Sequence, residues 1–206
     1  VVKYASGSGN VENRDVPEPF PGSDEVKIEV KAAGICGSDL HIYDGNIKLQ
    51  MRFPVIIGHE FSGVITEVGS SVSKFITGER VSSETSAQVC GTCIPCQTGN
   101  YNVCEKKRLI GYWFNGAFAK YCVVPSRLVH RLPPNVSFIG GALCEPLMCC
   151  VNGVYEKTVI SPGDVVVVAG PGTIGLLSLQ LMELEPVGYN ELIEPSVHVI
   201  VSPFLM

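Results

Sequence analysis

The sequence predicts a mixed α/β fold, in which a domain of short strands is followed by one strand, a glycine turn and a helix. From Glu25 to about Ala33, apolar and polar residues alternate with period two, which is typical of a half-buried strand. The segment FSGVITEVG, from Phe61 to Gly69, alternates in the same way. After Asp164 the pattern changes to a continuous apolar run, Val165 to Ala169, which favours a buried parallel strand.

Further strands are predicted between these segments and the apolar run. GERVSSE and AFAKYCVVP continue the alternation, and glycine or proline stands where it breaks. Residues 1 to about 145 are therefore expected to form an antiparallel, barrel-like domain. The turn GPGTIG and the helix-compatible LLSLQLMELE follow the apolar run. The predicted domains are residues 1–150 and residues 151–206.

Composition and charge argue against two classes of partner. The chain has 206 residues, of which 46% are hydrophobic, and this is enough for a buried core. Its net charge is −5 and it has no basic run, so we expect no nucleic-acid binding. Residues 165–182 carry no charge and approach the length of a membrane span, about 18–20 residues. Three glycines and a proline interrupt this segment, so a strand, a turn and a helix fit it better.

The N-terminus VVKYASGSGN has no positively charged segment that leads into an apolar one. A secretory signal would show that pattern, so we expect a cytoplasmic protein without membrane contact.

Four of the nine cysteines lie within fifteen residues, in the stretch VCGTCIPCQTGNYNVC. They are Cys90, Cys93, Cys96 and Cys104, so the gaps between them are two, two and seven residues. The odd total argues against a fully disulfide-paired framework. Close spacing in a chain without a signal peptide favours metal binding.

Zinc is the metal that this spacing favours. The bacterial iron–sulfur run ends with a gap of three residues and Cys-Pro, whereas the last gap here is seven and Glu105 follows. Short gaps let thiolates surround one ion at about 2.3 Å, and Gly91 and Gly99 ease the turns. Free thiols in a mobile loop are the alternative, but they give no reason for clustering. We predict a structural zinc with four sulfur ligands.

A second group of metal-binding residue types lies in GICGSDLH and GHEF. Its members, all within 25 residues, are Cys36, Asp39, His41, His59 and Glu60. Each alone is weak evidence, because a lone histidine is more often structural and a lone carboxylate is more often on the surface. Together, a thiolate, an imidazole and a carboxylate are the mixed donors of a catalytic zinc, which keeps one position open.

The glycine turn is the third candidate site. Gly170, Gly172 and Gly175 follow VVVVA and open an apolar helix. A bare pattern of this kind is usually a structural turn, but its context favours a nucleotide, because the helix N-terminus would face a pyrophosphate. The remaining cysteines fit no ligand spacing, and we expect small buried residues at Cys122, Cys144, Cys149 and Cys150.

The order of these motifs, from GICGSDLH and GHE through the four cysteines and EPL to GPGTIG, resembles the zinc-dependent medium-chain dehydrogenases over residues 22–182. HIY after GICGSD and the CEPL stretch are more similar to the sorbitol (polyol) and threonine dehydrogenase branch than to simple alcohol dehydrogenases. The resemblance implies a GroES-like β-barrel catalytic domain followed by the beginning of a Rossmann domain. It also implies a homo-oligomer, a small alcohol or polyol as substrate, and NAD or NADP at the glycine turn.

The resemblance further implies a ligand set for each zinc. Cys36, His59 and Glu60 would hold a catalytic zinc, with Glu145 in or just outside its coordination shell. Cys90, Cys93, Cys96 and Cys104 would hold a structural zinc. Asp39 would orient a ligand of the catalytic zinc.

Proton transfer is implied for Ser38 and His41, which fall where the family passes the substrate proton to solvent. Zinc would carry the main acid–base role, because lowering the pKa of a bound hydroxyl from about 16 to about 7 is worth roughly 12 kcal/mol. A positioned general base supplies only about 3–5 kcal/mol. The hydride would go to NAD or NADP, since zinc has no redox chemistry of its own.

The chain departs from this family at its end. Only 31 residues follow Gly175, whereas a complete dinucleotide fold takes two βαβαβ halves. Either SVHVIVS (196–202) is a second strand, without the acidic residue expected for the ribose, or EPVGYNELIEP marks a splice or deletion. Two functions therefore stay open: a zinc alcohol or polyol oxidoreductase, or a zinc-stabilised remnant without catalysis. We expect these 206 residues alone to turn over poorly or not at all.

Overall fold

The computed structural model describes residues 1–160, 164–183 and 196–200, the last of these and residue 183 by their backbone alone. The chain divides into two compact units, Val1–Glu145 and Pro146–Met206. The segment EPVGYNELIEP and the last two residues of SVHVIVS lie outside the described residues.

The first unit is built on two antiparallel sheets. Its strands, numbered in chain order, are β1 (Val2–Lys3), β2 (Val11–Glu12), β3 (Glu25–Gly34), β4 (Val55–Ile56), β5 (Glu60–Val68), β6 (Arg80–Ser83), β7 (Tyr121–Pro125) and β8 (Val129–Arg131). The larger sheet has the strand order β7-β3-β5-β6-β8, and the smaller has the order β2-β1-β4. The predicted strands within 25–33, 61–69, GERVSSE and AFAKYCVVP all belong to the larger sheet, so these predictions are confirmed.

Strands β3 and β5 form the centre of the larger sheet. The alternation in β3 turns Val26 and Ile28 into the core, where both are fully buried. The side chains that pack beneath the sheet include Phe61, Ile65, Phe75, Val81, Ile110, Val124, Leu128 and Val129. Burial of such side chains is the main stabilising contribution to the unit.

Irregular pairing bends β3 against β5. The register shifts between Val30 and Ala32, which is the position of a β-bulge. Gly63 lies opposite Val30, and a Cβ atom added there would come within 2.1 Å of the Glu29 carbonyl oxygen. The two strands approach so closely that only glycine fits at this point.

An ion cluster around a buried lysine lies on the other face of β3. Lys27 lies on the predicted polar face, yet it is only 1% exposed. Its ammonium donates to Glu18 at 2.8 Å and to Glu67 on β5, and it lies over the Phe20 ring at 5.4 Å from the centroid. The N-terminal segment that carries Glu18 and Phe20 therefore packs on the outside of the sheet.

The helices are short and lie mostly between the strands. The α-helices of the described residues are α1 (Gly37–Asp44), α2 (Ile94–Gln97), α3 (Phe138–Ala142), α4 (Cys144–Val151) and α5 (Thr173–Glu183). Single turns of 3-10 helix lie at Tyr101–Val103 and Ser126–Leu128, and a π-helical turn covers Asn152–Glu156. The strand pattern did not predict α1, α3 or α4.

The second unit contains a βαβ arrangement. Strands β9 (Val165–Ala169) and β10 (Ser196–Ile200) pair in parallel, and α5 lies between them in sequence. The uncharged run at 165–182 is thus a strand, a turn and a helix, as expected, and SVHVIVS contains a second strand. The expectation that β9 is buried is wrong for Val165 and Val167, which are 67% and 53% exposed. Within the described residues, no helix combines the length and the apolar character needed to cross a membrane. The predicted mixed α/β fold class is confirmed.

Replacing Gly63 with alanine should destabilise the first unit. The added Cβ atom would force β3 and β5 apart at the bulge, and overpacking of this kind costs about 1–3 kcal/mol. We expect the free energy of unfolding, measured by urea denaturation, to fall by that amount. Gly140→Ala is the matched control, because its Cβ atom would meet nothing closer than 3.4 Å. Equal stability of the Gly63 variant and the control would contradict the close approach of the strands.

Candidate metal centres and glycine turn

The structure brings Cys36, His59 and Glu60 together. The Cys36 sulfur, a His59 ring nitrogen and a Glu60 carboxylate oxygen all lie within 4.8 Å of one another. Metal bonds of about 2.0–2.3 Å place the ligand atoms of a tetrahedral site about 3.3–3.8 Å apart. The three donors would therefore need to close by no more than about 1.5 Å to hold one ion.

Strand pairing is what places Glu60 in this group, which we call the mixed-donor site. Gly34 at the end of β3 stands opposite Glu60 at the start of β5. A Cβ atom at Gly34 would lie 2.4 Å from Glu60 Oε2, so only glycine leaves room for the carboxylate. Cys36 follows Gly34 by two residues and His59 precedes Glu60 by one, so the same pairing gathers all three donors.

The start of α1 holds Cys36. It is the N-cap residue of the helix, and its N–H donates to Asp39 Oδ2 at 2.9 Å. A carboxylate at the third helical position commonly satisfies the N-cap amide in this way. At the other end Gly45 takes φ +74°, and the Asn46 N–H donates to the His41 carbonyl at 2.9 Å. These two ends fix α1, and with it Cys36, as a short rigid element.

Two buried polar atoms beside the donors have no hydrogen-bond partner among the described residues. They are His59 Nδ1 and Asp39 Oδ1, and they lie 3.8 Å apart. A metal-bound histidine usually directs its second ring nitrogen at a carboxylate or a carbonyl. This pair fits a metal on the other nitrogen of His59, with Asp39 as the group that orients the ring.

The electrostatics of the mixed-donor site also fit a cation. Burial raises the pKa of the Cys36 thiol, and a hydrogen bond from Ser38 opposes this rise. Burial likewise raises the pKa of Asp39 and of Glu145, and attraction to His59 opposes only part of each rise. Several acidic groups thus share one buried site with a single histidine. A divalent cation would stabilise their ionised forms.

Glu145 lies beside the three donors rather than among them. Its carboxylate interacts electrostatically with His59, Glu60 and Asp39. It does not belong to the group of ligand atoms that lie within 4.8 Å of one another.

The two predicted proton-transfer residues both lie on α1. Ser38 is half-buried and His41 is exposed, and His41 stands three positions after Ser38 on the helix. Ser38 has a partner that sequence reasoning missed, because the Tyr112 hydroxyl donates to Ser38 Oγ at 2.7 Å. The Tyr112 ring also lies 5.5 Å from the His59 ring, centroid to centroid. Burial raises the pKa of Tyr112 to about 12, so it is a neutral donor at pH 7.

The four clustered cysteines also come together. Their sulfurs all lie within 4.8 Å of one another, and Cys90 Sγ is 3.6 Å from Cys104 Sγ and 4.0 Å from Cys96 Sγ. A disulfide would need about 2.05 Å. Zinc–sulfur bonds of about 2.3 Å put the sulfurs of a tetrahedral site about 3.8 Å apart, so the observed separations fit zinc.

Backbone amides prepare this cluster for a cation. The N–H groups of Thr92 and Cys93 lower the pKa of the Cys90 thiol to about 5. Cys93 changes in the opposite direction: the Cys96 N–H lowers its pKa, but burial and the neighbouring sulfurs together raise it to about 12. The cluster by itself therefore favours a thiolate at Cys90 and opposes one at Cys93. A zinc ion would remove this opposition, because it binds each sulfur as a thiolate.

Short elements hold the sulfurs in place. Gly91 and Gly99 adopt φ +71° and +83°, the left-handed conformation that the turns between the cysteines require. Helix α2 begins directly after Cys93, and Cys104 is 1% exposed. We call residues 88–108 the cysteine lobe.

Polar contacts join the cysteine lobe to the larger sheet. Gln88 and Arg108 exchange backbone hydrogen bonds at 3.1 and 2.8 Å and close the lobe at its base. The Tyr101 hydroxyl donates to Glu84 Oε2 at 2.8 Å, while Glu84 Oε1 lies 2.9 Å from His130 Nε2 on β8. Glu84 therefore links the lobe to the edge of the sheet.

The glycine turn has a distinct reason for each glycine. Gly170 adopts φ +105°, which disfavours any other residue. A Cβ atom at Gly175 would lie 1.9 Å from the Gly170 carbonyl oxygen, so glycine permits the close packing of α5 on the turn. At Gly172 an added Cβ atom would meet no atom of the described residues within 4 Å, so among these residues the backbone is open to a ligand. In a dinucleotide-binding turn the three glycines make the tight turn, let the pyrophosphate approach the backbone and allow the helix to pack closely, and these three glycines fit those roles.

The remaining cysteines differ in burial. Cys122 and Cys150 are buried and Cys144 is half-buried, but Cys149 is exposed. The expectation that all four are buried is therefore wrong for Cys149. It lies on α4, where a continuous apolar segment turns one of its members outward at each turn of the helix.

Known proteins share this architecture. Residues 22–134 match the family described as alcohol dehydrogenase GroES-like domain. Sorbitol dehydrogenase of Halalkalibacterium halodurans is 44% identical over 181 residues, which are 88% of this chain and 52% of that protein. L-threonine 3-dehydrogenase of Bacillus velezensis is 39% identical over 168 residues, which are 81% of this chain and 48% of that protein.

A solved structure agrees with these relatives. A protein of Sinorhizobium meliloti 1021 described as a zinc-binding dehydrogenase, bound to NADP, has a TM-score of 0.82 and 36% identity. The match covers 97% of this chain and 55% of that one. The chain spans about half the length of the curated relatives it matches. It belongs to the zinc-type medium-chain dehydrogenases and carries their GroES-like domain at residues 22–134.

Proposed function

We propose that the whole protein is a zinc-dependent oxidoreductase that transfers a hydride between a secondary alcohol or polyol and NAD or NADP. The observation that carries this proposal is the mixed-donor site, where thiol, imidazole and carboxylate lie within 4.8 Å of one another. A mixed set of three protein ligands is typical of a catalytic zinc, which keeps a position for substrate. The sorbitol and threonine dehydrogenases among the relatives support the same class of reaction.

The proposal assigns Cys36, His59 and Glu60 as the ligands of the catalytic zinc. Glu145 is assigned a place in or just outside the coordination shell, because its carboxylate interacts electrostatically with His59 and Glu60. When bound, zinc supplies Lewis-acid polarisation that lowers the pKa of an alcohol hydroxyl. Asp39 orients the His59 ring, since the two unpartnered atoms face each other at 3.8 Å.

The chain's own residues then handle the proton. The substrate hydroxyl gives its proton to Ser38, which is half-buried, and His41 on the exposed side of α1 passes it to solvent. When bound, NAD(P)⁺ would supply the acceptor for the hydride of the carbon that bears the hydroxyl. The product is a ketone or an aldehyde, so the reaction balances as two electrons and two hydrogens removed.

The glycine turn is assigned to the dinucleotide. Gly172 lets the pyrophosphate approach the backbone, Gly170 makes the turn, and Gly175 brings α5 close. The N-terminus of α5, which begins at Thr173, would face the phosphates with its free N–H groups.

The four cysteines are assigned to a structural zinc that takes no part in the chemistry. A homo-oligomer and a cytoplasmic location complete the proposal, and both rest on the sequence alone.

Loss of a cysteine ligand should release the structural zinc. Cys90→Ser should lower the zinc content by one ion per chain, measured by mass spectrometry of the metal. A ligand at about 1,000 times its dissociation constant adds about 4 kcal/mol, so the free energy of unfolding should fall by up to that amount. Cys122→Ser is the control, since Cys122 is a buried cysteine outside both sites. Unchanged zinc content in the Cys90 variant would refute the assignment.

The function itself is tested on the whole protein with NAD⁺ or NADP⁺ and sorbitol, threonine or a simple secondary alcohol. We expect nicotinamide reduction, read at 340 nm, to fall about a thousandfold in Cys36→Ser, because the lost polarisation is worth several kcal/mol. Cys122→Ser should keep its activity. Tight zinc binding without nucleotide binding or turnover would instead identify the alternative, a zinc-stabilised remnant. Nucleotide binding is read separately, by titrating NADH and NADPH and recording their fluorescence.

A further inference from the structure

Tyr112 is a buried residue with a polar hydroxyl that the motifs of the mixed-donor site do not include. It is only 4% exposed and belongs to a small apolar cluster with Ile42, Val55 and Ile57. A buried tyrosine hydroxyl needs a hydrogen-bond partner. Here the partner is Ser38 Oγ at 2.7 Å, on the proposed proton path.

The hydrogen bond between Tyr112 and Ser38 has a defined direction. A serine hydroxyl has one proton and two acceptor positions. The Tyr112 hydroxyl donates to Ser38 Oγ at 2.7 Å, so it takes one of the two acceptor positions. The Ser38 proton and the second acceptor position are therefore left for other partners.

We propose that Tyr112 is a positioning residue, whose hydroxyl confines the Ser38 hydroxyl to one donor direction and one acceptor direction. Because Tyr112 occupies one acceptor position of Ser38 Oγ, the remaining acceptor position is available to a substrate hydroxyl. The Tyr112 ring, packed 5.5 Å from the His59 ring, fixes the hydroxyl relative to a metal ligand.

This inference rests on the proposed function, and it adds a residue to the same site. When Ser38 accepts the substrate proton it must release its own, and it cannot release that proton to Tyr112, because the tyrosine is already the donor of that bond. The proton leaves towards His41, on the exposed side of α1. Ser38 thus meets the substrate already oriented, which reduces the reorganisation needed during the reaction.

The test measures ligand binding at equilibrium, without turnover. The mixed-donor site is loaded with Co²⁺ while zinc is kept in the four-cysteine site, and trifluoroethanol is titrated without nucleotide. Binding is followed in the visible cobalt spectrum. We expect Tyr112→Phe to weaken trifluoroethanol binding about five- to tenfold, the ordinary effect of one neutral hydrogen bond. The phenylalanine keeps the ring in contact with His59, and the melting temperature verifies its fold.

Two further variants separate positioning from packing. Ser38→Ala should weaken binding at least as much as Tyr112→Phe, and the double variant should be no weaker than Ser38→Ala alone. Tyr101→Phe is the matched control, because its hydroxyl bonds Glu84 outside the site, and it should leave trifluoroethanol binding unchanged.

The outcomes distinguish this inference from the proposed function. Wild-type affinity in Tyr112→Phe, or independent losses that multiply in the double variant, would overturn the positioning role alone. A wild-type cobalt spectrum that ignores trifluoroethanol would overturn both the inference and the proposed catalytic metal.

Discussion

The pairing of β3 with β5 is the constraint on which the mixed-donor site depends. Its register places Gly34 opposite Glu60, and the neighbouring residues Cys36 and His59 follow from that one contact. The bulge near Val30 lets the strands approach until glycine alone fits between them. Cys36, His59 and Glu60 are each weak evidence for a metal site in the sequence. The pairing of β3 with β5 brings them together into one site.

The cysteine lobe has a different source of order. Its helical segments are single turns, and its four cysteine sulfurs lie within 4.8 Å of one another. A segment that buries so little apolar surface gains little from the hydrophobic effect, so a metal cross-link is the natural stabilising element. Glu84 connects the cysteine lobe to the sheet, because it contacts both Tyr101 in the lobe and His130 on β8. The proposed structural zinc would therefore stabilise the fold and take no part in the chemistry.

Features that depend on residues close in sequence were predicted well, and features that depend on contacts between distant residues were not. The four cysteines are close in sequence, so their spacing alone predicted the cluster, and alternation predicted β3 and β5. The contact of Tyr112 with Ser38 joins residues 74 positions apart, and only tertiary packing creates it. Lys27 was expected on a polar face, but a distant segment covers it. The signal at Tyr112 was a tyrosine among apolar residues, which indicates burial without naming a partner.

The central claim is that one scaffold holds two different zinc sites. It is tested most directly by X-ray diffraction from crystals of the zinc-loaded protein, recorded on both sides of the zinc absorption edge. We predict two anomalous peaks per chain, one among Cys90, Cys93, Cys96 and Cys104 and one among Cys36, His59 and Glu60. A single peak, or a peak beside any other set of side chains, would contradict the account.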